Sequence, residues 1–205
     1  MTKIKICGIT NKQDAINAAS LGVDMLGFVF YKDSKRYVGP EIVRDIVNEL
    51  PPFIGKVGVF VDEDKKKVFD IAADCSLGML QFHGDEGIDY CGSFKDSYKV
   101  IKTFRIKNKN NLRGINDYDT DFYMLDTYSE KDKGGTGNNF DWKIIEDFEF
   151  LKPVILSGGL TPVNVAEAIK RFSPYGVDVS SGVEELPGKK DLNKMKQFVE
   201  KVRGI

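Results

Sequence analysis

Lys3-Ile4-Lys5-Ile6-Cys7-Gly8-Ile9-Thr10 alternates with a period of two and stops at a glycine. In an extended chain successive side chains point to opposite faces, so Lys3, Lys5 and Cys7 share one face of a strand and Ile4 and Ile6 take the other. The strand leaves a thiol at its C-terminal tip with a lysine two residues below it. A cationic neighbour favours thiolate, the form that acts as base or nucleophile. Cysteine is also among the most buried residue types and then behaves as a small hydrophobe; on this strand alone both readings stay open. A helix-like stretch from Asn11 to Leu21 follows.

That strand–helix unit recurs. Further strands are expected to begin near Met25, Lys56, Met79, Val100, Phe122, Val154 and Gly176, making eight in all. Helix-like stretches lie between them at Pro40 to Leu50, Glu63 to Ala73, Asp141 to Asp147 and Thr161 to Phe172, with a closing helix from Asp191 to Val202. Thr161-Pro162 reads as a helix start, since Thr can cap and Pro suits the first turn. Strand–helix units in succession predict an α/β protein with a parallel sheet and right-handed crossovers, most simply closed as a (β/α)8 TIM barrel in one domain spanning residues 1–205. The helix after strand five is expected to be short or missing, because Asn108 to Thr120 is rich in Asn and Asp and carries Gly114. An open doubly wound sheet is the alternative, but no G-x-G-x-x-G follows the first strand.

Composition narrows the chemistry. The chain has 205 residues, a formal net charge of −1 and 41% hydrophobic residues, with no basic footprint for nucleic acid and no apolar run of membrane-spanning length. The N-terminus enters the Lys-bearing strand directly, so no signal peptide is expected. Cys7, Cys75 and Cys91 are an odd number without CxxC spacing, which argues against disulfides or a zinc site and for a reducing cytoplasm. His83 is the single histidine, which rules out a multi-histidine metal site.

Carried around a barrel, the alternation is expected to bring Lys5, Cys7, Gln81, His83, Lys102, Asp126 and Asp178 to the inner face, several at the C-terminal strand ends where barrel enzymes build their sites. Asp126 reads as an acid matched to a thiolate base, or as an aspartate capping a turn. Two loops on that face are long: Tyr31 to Tyr37, carrying Arg36, and Ser129 to Asn139, carrying Gly134-Gly135-Thr136-Gly137. Arg36 offers a rigid fork for a carboxylate, or is a solvated surface arginine. Strand seven ends Ser157-Gly158-Gly159-Leu160 and strand eight runs into Ser180-Ser181-Gly182. Neither loop holds a lysine or arginine, so an anion there would rest on backbone N–H groups and helix dipoles, at the place where barrels commonly bind phosphate.

These residues resemble the phosphoribosylanthranilate isomerases of tryptophan biosynthesis. The resemblance covers nearly the whole chain, through Lys5 to Thr10, Gly27 to Phe30, Ser34 to Tyr37, Val57 to Phe60, Gln81 to Gly84, Leu125-Asp126, Gly134 to Gly137 with Phe140 to Trp142, Leu156 to Leu160 and Asp178 to Glu184. Many relatives have Pro at Lys35, Leu at Phe82 and Ala at Ser157, departures that remove no group with a chemical task. The resemblance implies an Amadori rearrangement of N-(5-phosphoribosyl)anthranilate, with Cys7 as general base, Asp126 as general acid and Lys5 favouring the thiolate. Arg36, Gln81, His83 and Asp178 are then expected to bind substrate, and Gly158, Gly159, Ser180, Ser181 and Gly182 its phosphate. It implies a small phosphorylated substrate, no metal, no organic cofactor, no nucleic-acid or membrane partner, and a monomer rather than a homodimer. Two rivals are the barrel isomerase of histidine biosynthesis, which places an aspartate where Cys7 stands, and a non-catalytic sugar-phosphate-binding barrel.

Overall fold

Eight parallel strands pair in chain order and close on themselves, β1 meeting β8, in the computed structural model, which describes residues 1–126 and 143–205. They are β1 (Lys3–Cys7), β2 (Met25–Val29), β3 (Gly55–Phe60), β4 (Met79–Phe82), β5 (Lys99–Arg105), β6 (Phe122–Asp126), β7 (Val154–Ser157) and β8 (Gly176–Val179). Helices α1 (Lys12–Ser20), α2 (Pro40–Val47), α3 (Lys65–Asp74), α4 (Ile88–Gly92), α5 (Lys143–Glu146), α6 (Val165–Phe172) and α7 (Leu192–Arg203) lie between or after them. The fold is the expected TIM barrel. Beyond β8 a hairpin not foreseen from the sequence, β9 (Glu184–Leu186) and β10 (Lys189–Lys190), precedes α7. The short α4 was likewise not anticipated.

The alternation in the sequence becomes two cores. Outward-facing Ile4, Ile6, Leu26, Phe28, Leu80, Phe82 and Val177 are buried against the helices. Met25, Val57, Ile101, Met124 and Ile155 fill the inside of the barrel. The seam that closes it pairs Lys5 with Asp178 in register. Around the seam, Arg203 at the end of α7 donates to the Thr2 carbonyl at 3.0 Å and to Asp24 at 2.8 Å.

One local expectation holds and two change. After β5 the chain makes two 3-10 turns, Lys109–Leu112 and Ile115–Asp117, in place of a helix. Asn108 and Asn111 draw nearby backbone N–H groups into local bonds of 2.9 and 3.0 Å that compete with helix formation. Helix α6 starts at Val165 rather than Thr161, because Asn164 Oδ1 takes the Thr161 N–H at 2.8 Å and fixes a turn there. Lys102 is on the outer face, since its neighbours Ile101 and Thr103 are the inward residues of β5. Its ammonium is buried against Glu86 at 2.7 Å and the Gly84 carbonyl at 2.8 Å. Side-chain parity flips with every residue, and a strand apolar on both faces near its middle does not show from sequence which face Lys102 takes. The Gly134 to Gly137 loop and the first two residues of the helix expected at Asp141 to Asp147 lie outside the described residues.

Candidate active site

A cavity of about 540 Å³ opens at the C-terminal ends of the strands. Cys7, Arg36, Gln81, His83, Asp126, Gly158, Gly159, Asp178, Ser180 and Ser181 all line it, so nearly every residue singled out from the sequence converges on one site. Gly182 does not line it but shapes it. A Cβ there would sit 1.9 Å from the Leu160 carbonyl oxygen, so only glycine lets the loops after β7 and β8 touch.

Cys7 is 8% exposed and packs on Val29 and Val59. Beneath it Lys5 is fully buried, its Nζ 2.8 Å from Asp178 Oδ1, while Ser157 Oγ donates to Asp178 Oδ2 at 3.0 Å. Burial alone would depress the Lys5 pKa, but Asp178 and Cys7 together hold it above its ordinary value. Lysine therefore stays a cation under the sulfur. The space comes from β2, where a Cβ on Gly27 would lie 2.7 Å from Cys7 Sγ and 2.9 Å from Lys5 Nζ. The other two thiols differ: burial pushes Cys75 up to about 11 and Cys91 up to about 12, so both remain neutral and inert near neutral pH.

Across the barrel His83 Nε2 is 3.2 Å from Asp126 Oδ2. Gln81 lies below with its amide nitrogen against the protein, 3.2 Å from both His83 Nδ1 and Thr103 Oγ1. Arg105, unnoticed in the sequence, lines the same wall and donates from Nη2 to the His83 carbonyl at 3.0 Å.

Arg36 differs most from its sequence reading. It is neither solvated nor loose: Nε and Nη2 hold Glu184 in a bidentate pair at 2.7 and 2.6 Å. Glu184 also accepts Lys190 Nζ at 2.8 Å. Burial would raise the Glu184 pKa, yet Arg36 and Lys190 keep it below the ordinary carboxylate value. Two cations on one carboxylate leave this corner net positive. Lys190 further reaches the Ser180 carbonyl at 3.3 Å and Ser180 Oγ at 3.4 Å. The loops at Gly158-Gly159 and Ser180-Ser181-Gly182 hold no cation of their own, but one lies directly behind them. Only the position of Glu184 straight after the Ser-Gly loop hinted at this cluster; Lys190 arrives through a hairpin with no sequence signal. Gly158 and Gly159 have φ of 86° and 67°, a left-handed conformation that glycine adopts without strain.

Among the described residues no group of His, Cys, Asp and Glu is arranged to hold a metal ion, and no helix is long and apolar enough to cross a membrane. A family model described as N-(5′-phosphoribosyl)anthranilate (PRA) isomerase matches residues 4–201. The N-(5′-phosphoribosyl)anthranilate isomerase of Trichlorobacter lovleyi is 48% identical over 200 residues, covering 97% of each chain. The crystal structure of phosphoribosyl anthranilate isomerase from Thermotoga maritima superposes with a TM-score of 0.93 at 43% identity over the whole of both chains. A further isomerase structure, in complex with reduced 1-(o-carboxyphenylamino)-1-deoxyribulose 5-phosphate, gives 0.89 at 42% identity and also covers both chains fully. The site lies on a barrel shared in full with these enzymes, and the chain belongs to the N-(5′-phosphoribosyl)anthranilate isomerase family of tryptophan biosynthesis.

Proposed function

We propose that Cys7 is the general base and Asp126 the general acid of the Amadori rearrangement that this family performs. The substrate is N-(5-phosphoribosyl)anthranilate and the product 1-(2-carboxyphenylamino)-1-deoxyribulose 5-phosphate. Asp126 gives its proton to the furanose ring oxygen, and the ring opens to a protonated Schiff base. Cys7 thiolate then takes the C2′ proton, and the electron pair of that C–H bond moves toward the iminium nitrogen. The resulting enolamine tautomerises to the ketone. The acid must be protonated and the base ionised at one pH, so their surroundings must differ in charge. The observation that carries the reading is the buried Lys5 ammonium beneath Cys7, with Asp126 facing the same cavity from β6.

The remaining assignments follow the charge. Arg36, oriented by Glu184, binds the anthranilate carboxylate. His83 and Asp178 face the sugar, and the loops at Gly158-Gly159 and Ser180-Ser181-Gly182 take the phosphate. One chain supplies every group given a role, which supports residues 1–205 acting as one barrel domain and as a monomer. Three free cysteines suit a reducing compartment such as the cytoplasm.

Turnover of freshly made N-(5-phosphoribosyl)anthranilate tests the reading directly. Cys7→Ala should lower kcat by ~10²–10⁴-fold, the worth of a positioned base, while product binding survives. Normal turnover in that variant removes Cys7 from the mechanism.

A further inference from the structure

Gln81 carries the one buried side-chain nitrogen or oxygen without a partner among the described residues, its Oε1. The residue is 1% exposed, and its other end is crowded. Nε2 lies 3.2 Å from His83 Nδ1, 3.2 Å from Thr103 Oγ1 and 3.2 Å from Met124 Sδ. An orphaned buried carbonyl costs about 1–3 kcal/mol, so something must hold the amide this way round. Met124 does so, because a thioether accepts a hydrogen bond and has no hydrogen to give. Turning the amide over would set Oε1 against that sulfur and bury an NH2 where Oε1 now lies. One orphan acceptor would become two orphan donors.

With its nitrogen toward the imidazole, Gln81 donates and His83 Nδ1 accepts. The ring proton is therefore on Nε2, which faces Asp126 Oδ2. In water an imidazole takes a proton long before a carboxylate does, at pKa about 6.5 against about 3.9. To become an imidazolium, however, His83 would need a proton on Nδ1, where Gln81 already presents an N–H.

We propose that Gln81 is a positioning residue which, held by Met124, keeps His83 as the neutral Nε2–H tautomer and so aims a hydrogen-bond donor at Asp126 Oδ2 that orients the carboxyl group in the site. This rests on the reading of Asp126 as the acid: the imidazole N–H orients that carboxyl group, and the ring has no free lone pair with which to take its proton. Two other charged groups of the cavity wall help to keep the ring neutral. Arg36 and Arg105 line the same cavity and disfavour a further cation on the ring, Cys7 stands across the barrel, and Asp178 is neutralised by Lys5.

His83 is the only histidine in the chain, so protein labelled with ¹⁵N-histidine gives one imidazole spectrum with no overlap. The wild type should show the neutral Nε2–H form at pH 7. Gln81→Glu replaces the donor by an acceptor: His83 should then be doubly protonated at pH 7, and kcat should fall by about tenfold or more, within the range of a displaced catalytic proton. KM should change little, and the basic limb of kcat/KM should move to higher pH. Gln81→Met keeps the volume and removes the donor, and should give mixed tautomers with a smaller loss of kcat. A wild-type His83 protonated on Nδ1 overturns the proposal without any variant. So does a Gln81→Glu protein with the wild-type spectrum and pH profile. A fully active Asp126→Asn instead overturns the acid reading, by turnover alone, while the imidazole spectrum still decides the tautomer.

Discussion

Two lysines are buried in this barrel against carboxylates at almost the same distance, on opposite sides of the sheet. Lys5 points inward to Asp178 at 2.8 Å, and Lys102 points outward to Glu86 at 2.7 Å. Their side chains are 0% and 4% exposed, so the cost of desolvating them is similar. What differs is the third party. Lys5 lies beneath a thiol that opens onto the cavity, whereas Glu86 also accepts the backbone N–H groups of Asp62 at 2.9 Å and Gly84 at 3.2 Å. On the proposed mechanism the first pair brings charge to the reacting thiol; the second ties the loops after β3 and β4 together. Burial of an ion pair is the same physics in both, and only the neighbour turns it into chemistry.

Removing each lysine separates the two cases. Lys5→Met and Lys102→Met each strand a buried carboxylate, and each should cost about 3–5 kcal/mol of stability by denaturant unfolding. Among folded molecules only Lys5→Met should slow alkylation of Cys7 by iodoacetamide and collapse kcat. Equal chemical losses in the two variants would mean that Lys5 is structural too. In the wild type the alkylation itself should stop at one thiol, because Cys75 and Cys91 are held neutral by burial; mass spectrometry of peptides settles that.

This pair of lysines also marks where sequence reading works and where it stops. Lys3 to Cys7 is anchored by Ile4 and Ile6, so its parity was unambiguous and Lys5 and Cys7 were placed correctly on the inner face. Strand β5, Lys-Val-Ile-Lys-Thr-Phe-Arg, is apolar on both faces near its middle, and Lys102 was put on the wrong one. Strand ends were legible because glycines follow them: Cys7-Gly8 and Ser157-Gly158-Gly159 are local signals. The partner of Arg36 was not, since Glu184 lies 148 residues away and meets it only through closure of the barrel. Thr161-Pro162 misled for a local reason, as Asn164 supplied a competing cap that a propensity argument cannot rank.

The loops proposed to take the phosphate extend the comparison, because the buried cation there is one layer further back. Lys190 touches Ser180 and not an open surface, so the anion should depend on main-chain shape more than on that charge. Gly159 has open space around it but a φ of 67°, which a branched side chain adopts only with strain. Gly159→Val should weaken product and inorganic phosphate together by about tenfold, a cost of ~1.4 kcal/mol, with Cys7 alkylation unchanged. Loss of product binding with phosphate binding intact would move the anion elsewhere.

The smallest effect concerns acid stability. Glu184, shared by Arg36 and Lys190, has a folded pKa below its ordinary value. Its contribution is present above the unfolded carboxylate pKa of about 4.3 and is lost as pH falls through and below that value. The Tm gap between wild type and Glu184→Gln should therefore be widest near pH 7 and narrow toward pH 3. A gap independent of pH would show that the carboxylate is not ionised in the native protein.

Strand β1 leaves the ribosome first among the eight and waits for β8, roughly the whole chain later, before its second edge is covered. Closing that long loop is slow in itself, since the entropy of bringing distant segments together must be met before their contacts form. Here the last ladder to zip is also the one that sets Lys5 opposite Asp178. Until that moment the lysine has no counterion and no dry environment. On the proposed mechanism activity is thus a report on completed topology: a chain that has made seven strands and their helices has the shape of most of the barrel but not the ion pair beneath its thiol.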